Sequence, residues 1–197
     1  MAVLAIAALY WLMPASLSAG PDWLLMAVVV VLALPLMVSH RTGRHKLNQR
    51  LAYALMTVVT LALISALALL IHGITAHTLQ ARELLQGAAV IWTNNILVFA
   101  SWYWRIDAGG PHFRPRRVFH LRSSFLFPQM MLDAEIRHPH WTPQFVDYLF
   151  LAFNTSTAFS PTDAPVLSRW AKVLMMVQAS ISLITLAIVA ARAVNVL

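Results

Sequence analysis

The sequence predicts an all-α, polytopic membrane protein with about five transmembrane helices and a short re-entrant helix before the last one. Of the 197 residues, 60% are hydrophobic and 11% are charged, whereas about 25% of the residues in soluble globular chains are charged. The apolar residues come in runs of about 20, which is the length that crosses a hydrocarbon core. Because backbone polar groups in lipid must pair within their own segment, these runs are predicted to be helices.

The charge distribution is that of a membrane protein. A net charge of +7 would favour nucleic acid as the partner of a soluble protein, but here the basic residues cluster between the apolar runs. We therefore expect the lipid bilayer as a partner and no nucleic acid. The chain has no cysteine and no P-loop, nucleophile elbow or HExxH motif. We predict neither an enzyme nor a cofactor.

The first two apolar runs cover residues 3–19 and 23–38. The first is interrupted by Pro14 and closes at Gly20-Pro21, and since no basic residue precedes it, we interpret it as a retained span rather than a signal peptide. The second contains Pro35, which we expect to kink the helix, and it ends at a basic loop that continues to Arg50. These runs predict the first two spans.

The third and fourth runs, residues 51–75 and 84–104, differ in polarity. The fourth carries five polar side chains within its apolar sequence: Gln86, Thr93, Asn94, Asn95 and Ser101. Because unpaired amides are costly in hydrocarbon, this helix is predicted to face protein or a wet cavity. Interhelical hydrogen bonding and a ligand site are both open interpretations. The aromatic residues 102–104 predict a belt at the membrane boundary.

Residues 105–143 read as an interfacial loop, with Gly109-Gly110 and five prolines. The loop contains four side chains that bind metals elsewhere: Asp133, Glu135, His138 and His140. Their spacing matches no named motif, so we interpret them as part of a solvated loop and predict no metal site. We divide the chain into N-terminal helices, residues 1–83, and a second module, residues 84–197.

The last 50 residues combine a short helix, a polar tract and a full span. Residues 145–153 are too short to cross alone, the polar tract begins at Asn154, and the final helix is expected over residues 168–194. This order predicts a re-entrant loop, which lipid tolerates only where neighbouring polypeptide encloses the irregular backbone. Symmetry-related copies would provide that enclosure.

This tail resembles the pore module of tetrameric potassium channels. The matching stretch runs from Thr155 to Asp163, followed by a final helix that ends in LAIVAARAV at 186–194. The resemblance implies a homo-oligomer, with a tetramer favoured, and a monovalent cation as partner. It also implies a set of pore-lining, filter-like residues: Thr155, Ser156, Thr157, Phe159, Ser160, Thr162 and Asp163.

The resemblance breaks at the filter glycines. Ser160 and Thr162 occupy those positions, and glycine is what allows a backbone to point successive carbonyls at an ion. The sequence therefore predicts a channel-like protein with side-chain hydroxyls as ligands. The alternative is a non-conducting structural or accessory protein with a pore-like fold, plugged by Phe159 and Pro161.

A second resemblance covers residues 90 to the end. The aromatic end of the fourth span, Gly109-Gly110 and Asp147-Tyr148 look like a bacterial family of predicted membrane proteins of unknown function. It implies a multi-pass protein of the bacterial cytoplasmic membrane. Charge bias places the basic loops at 41–50 and 105–137 on the cytoplasmic side. Either the polar loop enters from that side, or residues 144–160 cross and the last helix runs inward.

Overall fold

The computed structural model describes residues 2–18, 20–111, 123–132, 141–157 and 164–194. Within these ranges the chain is helical and contains no β-strand, apart from an isolated antiparallel bridge between Phe125 and Val166. The helices are α1 (Ala2–Tyr10), α2 (Asp22–Arg41), α3 (His45–Thr75), α4 (Ala81–Ile106), α5 (Pro128–Met131), α6 (Phe145–Thr157) and α7 (Arg169–Val194). Short 3-10 helices lie at Ala15–Leu17 and Asp107–Gly109. The predicted all-α class is confirmed.

Among the described residues, three helical segments are long and apolar enough to cross a membrane: His45–Thr75, Ala81–Gly109 and Arg169–Arg192. Their lengths, 31, 29 and 24 residues, match or exceed the roughly 20 that a hydrocarbon core requires. The apolar part of α2, Trp23–Ser39, is shorter. The chain thus has the helices of a membrane protein, but the expected count of about five spans is not confirmed.

The first apolar run is not a single helix, so the prediction of a span over residues 3–19 is wrong. α1 has 9 residues and measures about 14 Å, less than half of a hydrocarbon core. The chain then turns before Pro14, which cannot donate a helical hydrogen bond, and forms the 3-10 helix at Ala15–Leu17. Leu17 is fully buried, so this segment folds back onto the other helices.

α4 is the central helix of the molecule. It packs against α1, α3, α6 and α7, and 67% of its apolar window is buried, compared with 22% for α7. The prediction that the polar fourth run faces protein is confirmed. α7, in contrast, leaves one side exposed, with Met176 and Leu183 more than 60% accessible.

Hydrogen bonds between α3 and α4 define one end of the molecule, which we call the basic end. Arg105 Nη1 donates to Asn48 Oδ1 at 2.9 Å, and Gln49 Nε2 donates to the carbonyl of Arg105 at 3.0 Å. The start of α3 and the end of α4 therefore lie together, beside the basic loop between α2 and α3 that includes Arg44. The end of α3 and the start of α4 lie at the opposite end, which we call the far end.

Candidate functional site between α4, α6 and α7

α6 is longer than the sequence predicts. It runs to Thr157, so the prediction that the helix stops at residue 153 and a turn begins at Asn154 is wrong. The hydroxyl of Thr155 donates to the carbonyl of Leu151 at 2.8 Å, and that of Thr157 donates to the carbonyl of Asn154 at 3.1 Å. Because these hydroxyls bond to their own helix, a polar tract remains compatible with helical backbone.

α6 begins at the basic end. The Tyr148 hydroxyl donates to Asp107 Oδ2 at 2.5 Å, and the rings of Trp104 and Phe145 pack edge to face with centroids 6.2 Å apart. Asp147 accepts the backbone N–H of Gln144 at 2.6 Å, which satisfies a donor at the helix start. The first turn of α6 is therefore level with the last turn of α4.

α7 begins at the same end as α6. The backbone N–H of Ser124 donates to Asp107 Oδ1 at 2.6 Å, and the carbonyl of Ser124 accepts the N–H of Leu167 at 2.8 Å. Asp107, which is fully buried, thus connects the end of α4 to the segments that precede α7 and to α6. The alternative in which residues 144–160 cross is wrong, because α6 and α7 start together.

A buried glutamine fixes how far α6 reaches along α7. Gln178 Nε2 donates to the carbonyl of Ala152 at 2.6 Å and to Ser156 Oγ at 2.7 Å. Its Oε1 accepts the hydroxyl of Tyr103 from α4. Gln178 lies nine residues after Arg169, about 14 Å along the α7 axis. The last turn of α6 therefore reaches about 14 Å along the α7 axis.

Asn95 extends this network. Its Nδ2 donates to the carbonyl of Gln178 at 3.0 Å and to Ser182 Oγ at 2.9 Å. Asn95, Tyr103, Ser156, Gln178 and Ser182 are each at most 2% exposed. We call these five residues the core network. For Asn95 the structure favours interhelical hydrogen bonding over a ligand site.

Sequence reasoning missed two members of this site and misplaced a third. Gln178 is an amide inside the apolar sequence of α7, which is the signal that could have identified it. Asp107 follows the aromatic end of α4, where the sequence predicts a loop. Tyr103 was expected in the aromatic belt at the membrane boundary, but it is fully buried, whereas its neighbours Trp102 and Trp104 are partly exposed.

The predicted pore-lining residues have different positions. Ser156 is buried against Gln178 within the chain, whereas Thr155 and Thr157 are partly exposed. The other members of the predicted set lie outside the described residues: Phe159, Ser160, Thr162 and Asp163. So do the four side chains weighed as metal ligands, Asp133, Glu135, His138 and His140. Elsewhere in the described chain no cluster of three metal-binding side chains occurs.

The outward face of α6 is apolar. Val146, Phe150 and Phe153 are 64%, 59% and 46% exposed, and their spacing places them on one side of the helix, with Thr157 four residues further on. No protein-family model, curated protein or solved structure matches this chain.

Proposed function

We propose that this protein is a channel-like, homo-oligomeric membrane protein in which α6 is a re-entrant helix. The observation that carries the proposal is the geometry of α6: it starts beside the start of α7 and ends near Gln178, about 14 Å along that helix. A helix that stops at half depth requires neighbouring protein around its end. Further copies of this chain, with a tetramer favoured, would supply that enclosure.

The end of α6 has the electrostatics that suit a cation. The last carbonyls of a helix lack intrahelical donors and carry partial negative charge. Thr155 and Thr157 lie in this last turn, and their hydroxyl oxygens keep lone pairs free to accept a ligand. Ser156 is committed to α7, so among the described residues of the tract these two threonines are the ones we assign to a central axis. We extend the assignment to Phe159, Ser160, Thr162 and Asp163.

We infer the orientation from the charges of the basic end. Basic residues at that end include Arg41, Arg44, Lys46, Arg50, Arg105, Arg169 and Lys172, whereas Arg82 and Arg192 are at the far end. Since cytoplasmic segments carry the excess of lysine and arginine, the basic end is cytoplasmic in this proposal. The loop then enters from the cytoplasm of a bacterial inner membrane.

Ion flux into vesicles tests the proposal. We expect liposomes that contain the purified protein to take up a monovalent cation faster than empty liposomes, and Thr157→Val and Asp163→Ala to reduce that uptake. Thr57→Val is the matched control, because the side-chain bond of Thr57 within the described residues goes to the carbonyl of Tyr53 in its own helix. Uptake no faster than in empty vesicles would overturn conduction.

The hydrogen bond between Ser156 and Gln178 favours a second function. That bond turns one member of the predicted pore lining into a structural contact, as expected for a non-conducting structural or accessory protein with a pore-like fold. Cross-linking in membranes distinguishes the two proposed functions further. A tetramer without flux supports the accessory protein, and a monomer without flux removes the central axis altogether.

A further inference from the structure

The far end of the molecule contains a half-open pocket of about 390 Å³ between α3, α4 and α7. We call it the far-end pocket. Its walls are mostly apolar and include Ile74, Leu79, Leu84 and Ile188, and two basic side chains, His77 and Arg192, complete the lining. This combination of an apolar wall and a basic edge is distinct from the core network and plays no part in the proposed conduction path.

Among the described residues, the charge at the edge of the pocket is positive and not neutralised. No aspartate or glutamate in this part of the chain lines the pocket. Glu83, near the start of α4, accepts the backbone N–H of Gln80 at 3.1 Å and thereby caps its own helix. Arg192 is exposed and has no hydrogen-bond or ion-pair partner in the part of the chain that the structure describes. Its guanidinium is therefore available to an anion.

The depth of the pocket matches the boundary between headgroups and acyl chains. Arg192 lies 23 residues after Arg169, about 35 Å along α7, which exceeds a hydrocarbon core of roughly 30 Å. In a bilayer whose near boundary lies at Arg169, this length would carry the guanidinium to the far headgroup layer and place Ile188, one turn earlier, beside the acyl chains. An occupant of the pocket would contact both layers.

We propose that the far-end pocket binds one anionic phospholipid. Arg192 contacts the phosphate, for which a planar guanidinium offers paired donors, and His77 adds an imidazole donor. One acyl chain lies against Leu79, Leu84 and Ile188. Arg192 in the last turn of α7 also complements the helix dipole, but that role does not require an apolar pocket beside it.

Native mass spectrometry of the full chain, released from nanodiscs of equal phosphatidylglycerol and phosphatidylcholine, tests this site. We expect one retained phosphatidylglycerol per chain and about a fivefold loss of its affinity in Arg192→Gln, the effect of removing about 1 kcal/mol per basic residue near a lipid surface. Arg82→Gln is the control, because Arg82 is exposed at the same end but does not line the pocket.

A second variant separates lipid from free phosphate. Ile188→Trp should fill the apolar part of the pocket and reduce phosphatidylglycerol retention while Arg192 is unchanged. Millimolar inorganic phosphate should not displace the lipid. Equal loss in Arg82→Gln and Arg192→Gln, retention of phosphatidylcholine in equal amount, or displacement by inorganic phosphate would each overturn the proposal. Because the readout is a bound mass, the result does not depend on whether the protein conducts.

Discussion

The two sides of α4 are chemically different. Toward α6 and α7, Asn95 and Tyr103 hydrogen-bond to Gln178 or its neighbours. Toward α3 and the N-terminal segment, the hydrogen bonds lie near the two ends of α4, at Gln86, Trp102 and Arg105. The contacts at Gly87 are apolar: a Cβ added there would lie 2.1 Å from Leu17 Cδ1 and 3.8 Å from Leu70 Cδ1. Asn94 lies seven residues after Gly87, on the same face of the helix. Neither its amide nitrogen nor its amide oxygen has a partner among the described residues.

This difference follows from the lengths of the partner helices. α3 crosses the whole bundle beside α4, so many small contacts determine its position. α6 has 13 residues, and lipid tails solvate its apolar side chains as well as protein does, so apolar packing alone cannot fix its position along α7. Directional hydrogen bonds can fix that position. We infer that the core network and Asp107 hold α6 in place along α7, and that the α3 side of α4 around Gly87 and Asn94 depends less on hydrogen bonds.

The largest effect is expected for Asp107→Ala. The substitution leaves the buried Tyr148 hydroxyl and the Ser124 N–H without the carboxylate that accepts them, and the free energy of unfolding should fall by about 3 kcal/mol. Helical circular dichroism during titration of mixed micelles with dodecyl sulfate measures this quantity. Asp147→Ala is the control, because Asp147 only caps the partly exposed start of α6; it should cost about 1 kcal/mol. Equal losses of stability in the two variants would contradict the inference that Asp107 holds α6 in place.

Gln178→Leu should have the next largest effect. It removes three side-chain hydrogen bonds, to Ala152, Ser156 and Tyr103, and each such bond in a membrane protein contributes about 0.6 kcal/mol on average. We expect a loss of about 2 kcal/mol in the same titration. Gln86→Leu, at an exposed amide with one bond to the carbonyl of Leu12 at 2.8 Å, should cost less than 1 kcal/mol. If Gln86→Leu lowered the free energy of unfolding as much as Gln178→Leu, the stabilising effect of an amide would not depend on its position in the core network.

Sequence patterns predicted the helices of this fold better than the contacts between the helices. Apolar runs located α2, α3, α4 and α7, because a membrane-length helix needs only composition and length. The same rule failed for residues 3–19, where Pro14 interrupts the run and the segment packs back through Leu17. Composition indicates whether a segment is apolar enough to cross a membrane, but it does not indicate whether the segment turns within the protein.

The candidate site was predictable only in part. The polarity of α4 correctly indicated that the helix faces protein. The order of short helix and full span left two topologies open, and in one of them α6 and α7 start together. Which amides pair was not predictable, because Asn95 and Gln178 meet only once α4 and α7 cross, 83 residues apart in sequence. The helical state of Thr155 to Thr157 was missed because hydroxyl side chains favour turns unless they bond back to their own helix.

The adjacent asparagines of α4 provide the sharpest test of its two sides, with the smallest expected effects. Asn95→Leu loses two interhelical bonds and should destabilise the protein by about 1 kcal/mol. Asn94→Leu removes an amide that is fully buried and unpartnered within the described chain. Burial of an amide without a partner costs about 1–3 kcal/mol, and the larger leucine offsets part of the gain from removing it. The free energy of unfolding should therefore stay level or rise by up to about 1 kcal/mol.

The two substitutions are chemically identical and one residue apart, so a difference in sign can arise only from the environments on the two sides of the helix. If both destabilise equally, Asn94 has a partner, such as an ordered water, and the environments of the two asparagines do not differ in the way inferred here.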